Sequence, residues 1–180
     1  MFETERLVMR PFKKTDYQDY HEYMSREEVY RFERGKPMTL KESKRFCKEW
    51  SSKKPVNFWA ATLRGTGKVI GNVSFFPEGP PDFRSWNIGY IFNPDYHNKG
   101  YATEATRGVI KYAFTELKVH RIVAGCSPDN TASWKVLEKC GMRREALNLK
   151  NFPIRVDENG NQIWLDSYQY AILEEDFFKK

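Results

Sequence analysis

Apolar and polar side chains change their spacing several times along the 180-residue chain, and each change predicts an element. Apolar runs rich in aromatic and β-branched residues predict seven strands, at residues 4–12, 56–64, 68–76, 85–92, 119–126, 142–149 and 162–173. Apolar residues at helical spacing predict four helices, at residues 16–24, 40–53, 101–118 and 131–140. The element order is therefore β-α-α-β-β-β-α-β-α-β-β, which predicts a mixed sheet of the α+β or α/β class in one domain.

Two local signals fix element boundaries. Thr39 and Glu42 have the spacing of a capping box, which predicts a helix beginning at Leu40. Gly65 and Gly67 separate the second and third strands and predict a hairpin turn. With Gly71 these glycines resemble a dinucleotide-binding fingerprint, but that motif must open a helix, and a strand follows here. We therefore interpret the glycines as hairpin residues.

Composition excludes several classes of protein. A hydrophobic content of 40% is globular, and no apolar run reaches the length of about 18 residues that a membrane span needs. The first residues are charged and contain no apolar signal segment, and the three cysteines are isolated, so we expect a cytoplasmic protein without a zinc site or disulfide framework. The net charge of +6 suits a polyanionic partner of any kind, from nucleic acid to a phosphorylated small molecule.

The polar stretch "NPDYHNKGYATEA", residues 93–105, joins a predicted strand to a predicted helix. The first turn of a helix carries about four unpaired N–H groups and binds phosphates. Gly100 permits close approach of an anion to the backbone, and Lys99 adds a cation. From these residues alone, a phosphate cradle and an ordinary strand-to-helix loop are equally compatible with the stretch.

A second candidate site lies at the start of the next helix. Asn130 and Ser133 are three residues apart and can share a face of its first turn. The plainer interpretation is that Asn130 caps the helix and that Ser133 is a solvated helix residue.

Several ordered motifs carry a family resemblance. His97-Asn98-Lys99-Gly100-Tyr101-Ala102 matches the pattern Q/R-x-x-G-x-G/A, apart from His97 at the Q/R position. Asn130, Ser133 and the segment "EKCGM" (residues 138–142) resemble N-x-x-S…E-K-x-G-F. The sequence thereby resembles the GNAT superfamily of N-acetyltransferases, and is most similar to the branch with the ribosomal-protein N-terminal acetyltransferases. The resemblance spans nearly the whole chain. It implies a mostly antiparallel sheet of roughly seven strands and about four helices, with two central strands splayed around acetyl-CoA.

The resemblance also implies roles for named residues. Backbone amides of the loop would bind the CoA pyrophosphate, with His97 at its start and Thr103 beside it: Asn98, Lys99, Gly100, Tyr101 and Ala102. The end of the preceding strand would pair with the pantetheine arm: Ile91, Phe92 and Asn93. The residue matching Asn130 contacts the pantetheine in the family, and the residue matching Ser133 lies near the thioester sulfur. No metal is implied.

One departure affects the chemistry. The branch commonly has Glu-Ile/Leu-Gly-Tyr where this chain has Asn87-Ile88-Gly89-Tyr90, and Asn87 cannot act as a base. A base or water chain must take a proton from the acceptor ammonium, because an alkyl amine with a pKa near about 10 is mostly protonated at neutral pH. We predict Asp166, or a water held by Asn87, in this role, with Ser133 as a hydrogen-bond donor to the departing sulfur.

The leading hypothesis is acetyl transfer from acetyl-CoA to a primary amine, either a protein N-terminus or a small molecule, by direct attack in a ternary complex. A GNAT fold that binds acetyl-CoA without transfer is one alternative, and a basic nucleic-acid-binding module is another, although no signature of such a module is present. We expect no membrane or nucleic-acid partner, and a monomer or homodimer.

Overall fold

The computed structural model describes residues 1–179, in which eight strands form one sheet in the order β1-β2-β3-β4-β5-β6-β8-β7. The strands are β1 (Phe2–Glu3), β2 (Leu7–Pro11), β3 (Phe58–Leu63), β4 (Val69–Glu78), β5 (Ser85–Phe92), β6 (Arg121–Cys126), β7 (Arg143–Val156) and β8 (Gln162–Leu173). The helices are α1 (Tyr17–Met24), α2 (Leu40–Trp50), α3 (Tyr101–Thr115), α4 (Thr131–Lys139) and α5 (Glu174–Phe178). The sheet is antiparallel except between β5 and β6.

The predicted fold class is confirmed, as are the seven strands and four helices in order. The structure adds β1 and α5, which are two and five residues long. Such short elements carry no detectable period, and β1 is held by tertiary packing, with the Phe2 ring stacked on Tyr112 at a centroid distance of 5.4 Å. The hairpin at Gly65 and Gly67 and the capping box at Thr39 and Glu42 are also confirmed.

Each face of the sheet carries its own core, which explains the alternation along β5. Ile88 belongs to the larger core beneath α3 and α4, whereas Ile91 packs against the smaller core beneath α1 and α2. Because successive strand residues point to opposite faces, β5 needs apolar residues on both sides.

The feature that positions the site is the separation of β5 from β6. The two strands pair only from Ser85 to Asn87, opposite Arg121 to Val123. Beyond Asn87, β5 stays paired with β4 as far as Phe92, while β6 stays paired with β8 as far as Cys126. Gly71 allows β4 and β5 to stay close, since a Cβ there would lie 2.5 Å from the Phe92 ring. A gap therefore opens between the carboxyl-terminal halves of two central strands.

Candidate functional site

The predicted loop before α3 bends sharply at two residues. Asn98 and Gly100 have φ values of +59° and +81°, in the left-handed region that favours glycine and, to a lesser degree, asparagine. The chain then enters α3 at Tyr101, as predicted, and no side chain caps the first turn. The N-terminal amides of a 15-residue helix are thus left for another partner.

An ion pair between Arg6 and Glu104 stabilises this loop. The Glu104 carboxylate accepts hydrogen bonds from the Thr4 hydroxyl at 2.6 Å, the Arg6 amide at 2.7 Å and the Arg6 Nε at 2.7 Å. Arg6 Nη1 in turn donates to the Lys99 carbonyl at 2.9 Å. Burial alone would raise the pKa of Glu104, but these hydrogen bonds and the charge of Arg6 outweigh burial and lower it. Glu104 is therefore a structural carboxylate.

Asn93 and Lys99, two of the predicted cofactor-binding residues, make hydrogen bonds that stabilise the loop before α3. Asn93 is fully buried. Its backbone N–H donates to the Ile70 carbonyl, and its backbone carbonyl accepts from the Tyr96 N–H. Its side-chain Nδ2 donates to Glu22, and its Oδ1 accepts from the Asp95 N–H and from Arg26. The Lys99 ammonium donates to the Asp95 carbonyl at 2.9 Å. Asn93 thus has both backbone groups occupied, and the Lys99 ammonium is turned back along its own loop.

The gap between β5 and β6 continues into a cleft of about 590 Å³. Its lining brings together ten of the predicted residues: Ile91, Phe92, His97, Asn98, Gly100, Tyr101, Ala102, Thr103, Asn130 and Ser133. A third wall comes from residues 28–33, which follow α1. The uncapped end of α3, the separated strand and the start of α4 therefore face one cavity.

The pairing direction of β5 decides which backbone groups face the gap. Asn93 donates to Ile70 on β4, and backbone groups alternate in direction along an antiparallel strand, so Ile91 also points its backbone at β4. Tyr90 and Phe92 point theirs at the gap. His97 Nε2 donates to the Phe92 carbonyl at 2.9 Å, since a carbonyl can only accept. The strand edge facing the gap is therefore that of Tyr90 and Phe92, not that of Ile91 and Asn93.

Ser133 lies beside a tyrosine that sequence reasoning did not select. Tyr90 Oη lies 2.8 Å from the Ser133 carbonyl, to which it donates, and 3.0 Å from Ser133 Oγ. Burial raises the pKa of Tyr90 well above its usual range, so its hydroxyl keeps its proton. Asn130 Oδ1 accepts the Ser133 amide at 3.2 Å, which makes Asn130 the cap of α4 and places its side chain at the cleft.

Asp166, the predicted base, and Asn87, predicted to hold a basic water, both lie outside the cleft lining. Asn87 is exposed before the strands separate, and its Nδ2 donates to Glu78 Oε2 at 3.3 Å. Asp166 on β8 accepts the Lys150 amide at 2.8 Å, where an irregularity in β7 places Lys150 at φ +46°. The Asp166 carboxylate thus stabilises a bulge. Asp166 reaches this bulge because the register of β7 against β8 shifts between Asn148 and Phe152. The alternation of residues 142–149 does not predict that shift.

The remaining reactive groups do not suggest covalent or metal chemistry. Cys126 and Cys140 are buried, and burial raises the pKa of their thiols to about 11 and about 12, so both remain protonated. Residues 1–179 contain no group of three or more His, Cys, Asp or Glu side chains placed to hold a metal ion. Within the same residues, every helix is too short or too polar to span a bilayer.

A second, shallower depression of about 480 Å³ lies on the other side of Gly100. Four basic side chains line it, Arg6, Arg107, Lys111 and Lys139, against the two carboxylates of Glu5 and Glu104, and Lys139 also lines the main cleft. Basic residues therefore outnumber carboxylates beside the α3 start, which suits a ligand with several phosphates.

Comparison with known proteins agrees with this geometry. The family described as "Acetyltransferase (GNAT) domain" matches residues 6–143. The chain belongs to the GNAT acetyltransferase family. The uncharacterized N-acetyltransferase YnaD of Bacillus subtilis (strain 168) is 37% identical over 174 residues, which cover 97% of each chain. As a GNAT member the protein is an acetyl-CoA-dependent acyltransferase, a class that acetylates amines.

Solved GNAT structures show the same architecture. An acetyltransferase (GNAT family) from Bacillus anthracis superposes with a TM-score of 0.86 at 38% identity, covering 96% of this chain and 98% of the other. A spermidine N-acetyltransferase from Vibrio cholerae, solved in complex with CoA and spermine, superposes with a TM-score of 0.78 at 19% identity, with coverage of 96% and 98%. At that lower identity the likeness concerns the fold alone.

Proposed function

We propose that the main cleft binds acetyl-CoA and that the enzyme passes the acetyl group to a primary amine by direct attack in a ternary complex. The observation that carries this proposal is the convergence, in one cleft, of an uncapped helix start with a separated strand edge. The first suits a pyrophosphate, because it offers unpaired amides and a partial positive charge. The second suits an arm with amide groups, because Tyr90 and Phe92 point backbone groups at the gap.

Individual residues would bind the donor along the length of the cleft. The amides of Gly100 to Thr103 would hold the pyrophosphate, and Arg107 and Lys139 would be near any further phosphate. The strand edge at Tyr90 and Phe92 would hold the pantetheine arm, and its far end would lie near Asn130 and Ser133. Acetyl-CoA supplies an acetyl group already activated as a thioester.

Hydroxyl groups in the cleft serve as donors in this scheme. Tyr90 keeps its proton and donates it to the Ser133 carbonyl, so Tyr90 Oη can accept from the Ser133 hydroxyl 3.0 Å away and hold it at the start of α4. The Ser133 hydroxyl would turn from Tyr90 to donate a hydrogen bond to sulfur as the thiolate leaves, and a backbone N–H at the β5 edge would stabilise the oxyanion. The buried, protonated cysteines make direct attack preferable to an acetyl-enzyme intermediate.

The acceptor would enter along the wall of residues 28–33. This wall carries two carboxylates, Glu28 and Glu33, beside Arg31. Carboxylates attract an ammonium group, which supports a cationic acceptor such as a protein N-terminus, a polyamine or another small primary amine.

Steady-state kinetics with an amine panel test the proposal. The panel contains an N-terminal peptide, a polyamine, an amino sugar and an amino acid, and CoA binding is measured separately by calorimetry. We expect CoA binding, turnover of at least one amine, and intersecting double-reciprocal lines. Parallel lines would indicate a covalent intermediate. CoA binding without turnover of any amine would support the alternative, a GNAT fold that has kept the cofactor and lost transfer.

A further inference from the structure

Direct attack needs a group that takes a proton from the acceptor, and neither Asn87 nor Asp166 lines the cleft. Among the described residues, the cleft lining contains two carboxylates, Glu28 and Glu33, both on the wall that faces β5 and α4. Glu28 and Glu33 are therefore the candidates for the base among the residues that line the cleft.

Glu28 is an ordinary surface carboxylate. Its side chain is 62% exposed, and its Oε1 lies 3.6 Å from Arg26 Nη1. Glu33 is half-buried, and across residues 1–179 it has no cation within 4.0 Å and no hydrogen-bond donor. Carboxylates removed from water are normally paired, so a half-buried, unpaired carboxylate at a cleft requires an explanation.

The electrostatic state of Glu33 suits proton transfer. Burial raises the pKa of Glu33 to about 7, and no neighbouring cation opposes that rise. Tyr90 lines the same cleft, and burial raises its pKa, an effect to which the negative charge of Glu33 adds. A general base is most effective when its pKa lies near the working pH.

We propose that Glu33 is the general base of acetyl transfer, taking a proton from the acceptor ammonium next to Tyr90 and Ser133. This inference rests on the proposed function. The ammonium gives one proton to the Glu33 carboxylate, and the free amine forms a C–N bond with the thioester carbonyl carbon. The C–S bond then breaks. The second nitrogen proton ends on the departing thiol, and Glu33 returns its proton to solvent.

Other titratable or charged groups face the same cleft and have to be separated from Glu33 in any pH profile. They come from the wall, β5, the loop before α3, and α4: Glu28, Arg31, Tyr90, His97, Lys135 and Lys139. Imidazole is the one side chain whose ordinary titration falls between about pH 5 and 8, and His97 supplies it to this cleft. The variant His97→Gln therefore belongs in the test.

The test measures kcat, KM and their pH dependence for wild type, Glu33→Gln, Glu33→Asp and Glu27→Gln. Glu27 is exposed and lies outside the cleft lining, so Glu27→Gln is a matched control. General-base catalysis contributes about 10²–10⁴-fold, so we expect kcat of Glu33→Gln to fall by about 100-fold or more. The acetyl-CoA dissociation constant should stay within about 2-fold of wild type, as expected for loss of one transfer step.

The pH profile distinguishes the base from a structural residue. Wild type should lose activity below about pH 7, because protonated Glu33 cannot accept a proton. That limb should persist in Glu33→Asp and His97→Gln and be absent in Glu33→Gln. Two acceptors with different amine pKa values separate the limbs, since only the limb of the amine moves with the acceptor.

A second readout does not depend on turnover. In protein labelled with ¹³C-glutamate, one carboxyl resonance should titrate near pH 7 and be missing from Glu33→Gln. Absence of that resonance, or a Glu33→Gln enzyme that keeps its rate and acidic limb, would overturn the assignment of Glu33 while leaving the proposed function intact. A wild-type protein that binds CoA but acetylates no amine would overturn the proposed function, and the assignment with it.

Discussion

The two helices that begin at the cleft differ in how the N–H groups of their first turns are paired. At α4, Asn130 caps the helix from within, since its side-chain oxygen accepts the Ser133 amide. At α3 no side chain does so, and the chain reaches the helix through Asn98 and Gly100 in left-handed conformations. A third helix, α2, lies outside the cleft lining and has a complete capping box at Thr39 and Glu42.

The difference indicates which helix start is built for a ligand. Unpaired amides cost free energy unless water or a ligand takes them, so a chain gains stability by capping them. At α3 the loop is instead held by Arg6 and Glu104, which lie outside the lining of the main cleft, so the N–H groups that face the cleft stay uncapped. The α4 start contributes side chains to the cleft, whereas the α3 start contributes backbone amides.

Substitution of Gly100 should produce the largest effect on CoA binding. In Gly100→Ala, a side chain is forced into φ +81°, and its Cβ lies 3.3 Å from Arg6 Nη2. We expect the loop to relieve the left-handed strain by rotating its amides away from the cleft. We expect CoA affinity to fall about 30-fold, which corresponds to about 2 kcal/mol. Calorimetric titration of CoA measures the change.

Gly65→Ala is the matched control for Gly100→Ala. Gly65 has φ +86° with nothing within 4 Å of the added Cβ, and it lies in the β3–β4 turn. Both substitutions carry the left-handed strain of about 1–2 kcal/mol, but Gly65→Ala should bind CoA as wild type does. Equal affinity losses in the two variants would mean that general destabilisation, not the loop, governs binding.

The support behind the loop should give the next largest effect. Removal of the charge in Glu104→Gln weakens its hydrogen bonds with Thr4 and Arg6, and charge-assisted bonds contribute about 1.5–3 kcal/mol. We expect unfolding free energy to fall by about 2 kcal/mol at pH 7 and CoA affinity to fall about 5-fold, since Arg6 also holds the Lys99 carbonyl. Urea unfolding and CoA titration measure the two changes.

The pH dependence of that loss has a definite sign. The folded state lowers the pKa of Glu104, so its contribution is fully present above the unfolded pKa of about 4.5 and is lost as pH falls through the folded value. The stability difference between wild type and Glu104→Gln should therefore shrink in strong acid. Glu42→Gln, in the first turn of α2, should leave CoA affinity unchanged. A stability difference independent of pH would contradict the ion-pair explanation.

Most of the fold could be predicted because its signals are local. The capping box at Thr39 and the hairpin glycines Gly65 and Gly67 act over three or four residues, and the long elements repeat their pattern over several turns. The pair of residues Phe2–Glu3 could not be identified, since Phe2 is held by Trp59 and Tyr112, which are distant in sequence.

In the candidate site, too, features set by local sequence could be predicted, and features set by long-range contacts could not. The left-handed Gly100 and the Asn130 cap follow from local sequence. The location of the carboxylates does not: Asp166 lies at a bulge because of a register shift, and Glu33 reaches the cleft because residues 28–33, distant in sequence from β5, form one of its walls. Tyr90 meets Ser133 across 43 positions of sequence, a contact that follows only from the separation of β5 and β6.

Removal of the α4 cap should produce the smallest effect and decides whether Asn130 has one role or two. Asn130→Ala removes a cap, which costs about 1 kcal/mol of stability. If the Asn130 amide also contacts the pantetheine arm, CoA affinity should fall about 3-fold in addition. Thr39→Ala, which removes the corresponding cap of α2, should lose similar stability and no affinity. Unchanged CoA affinity in Asn130→Ala would assign Asn130 to helix capping alone, and the contribution of the α4 start to donor binding would then rest on Ser133.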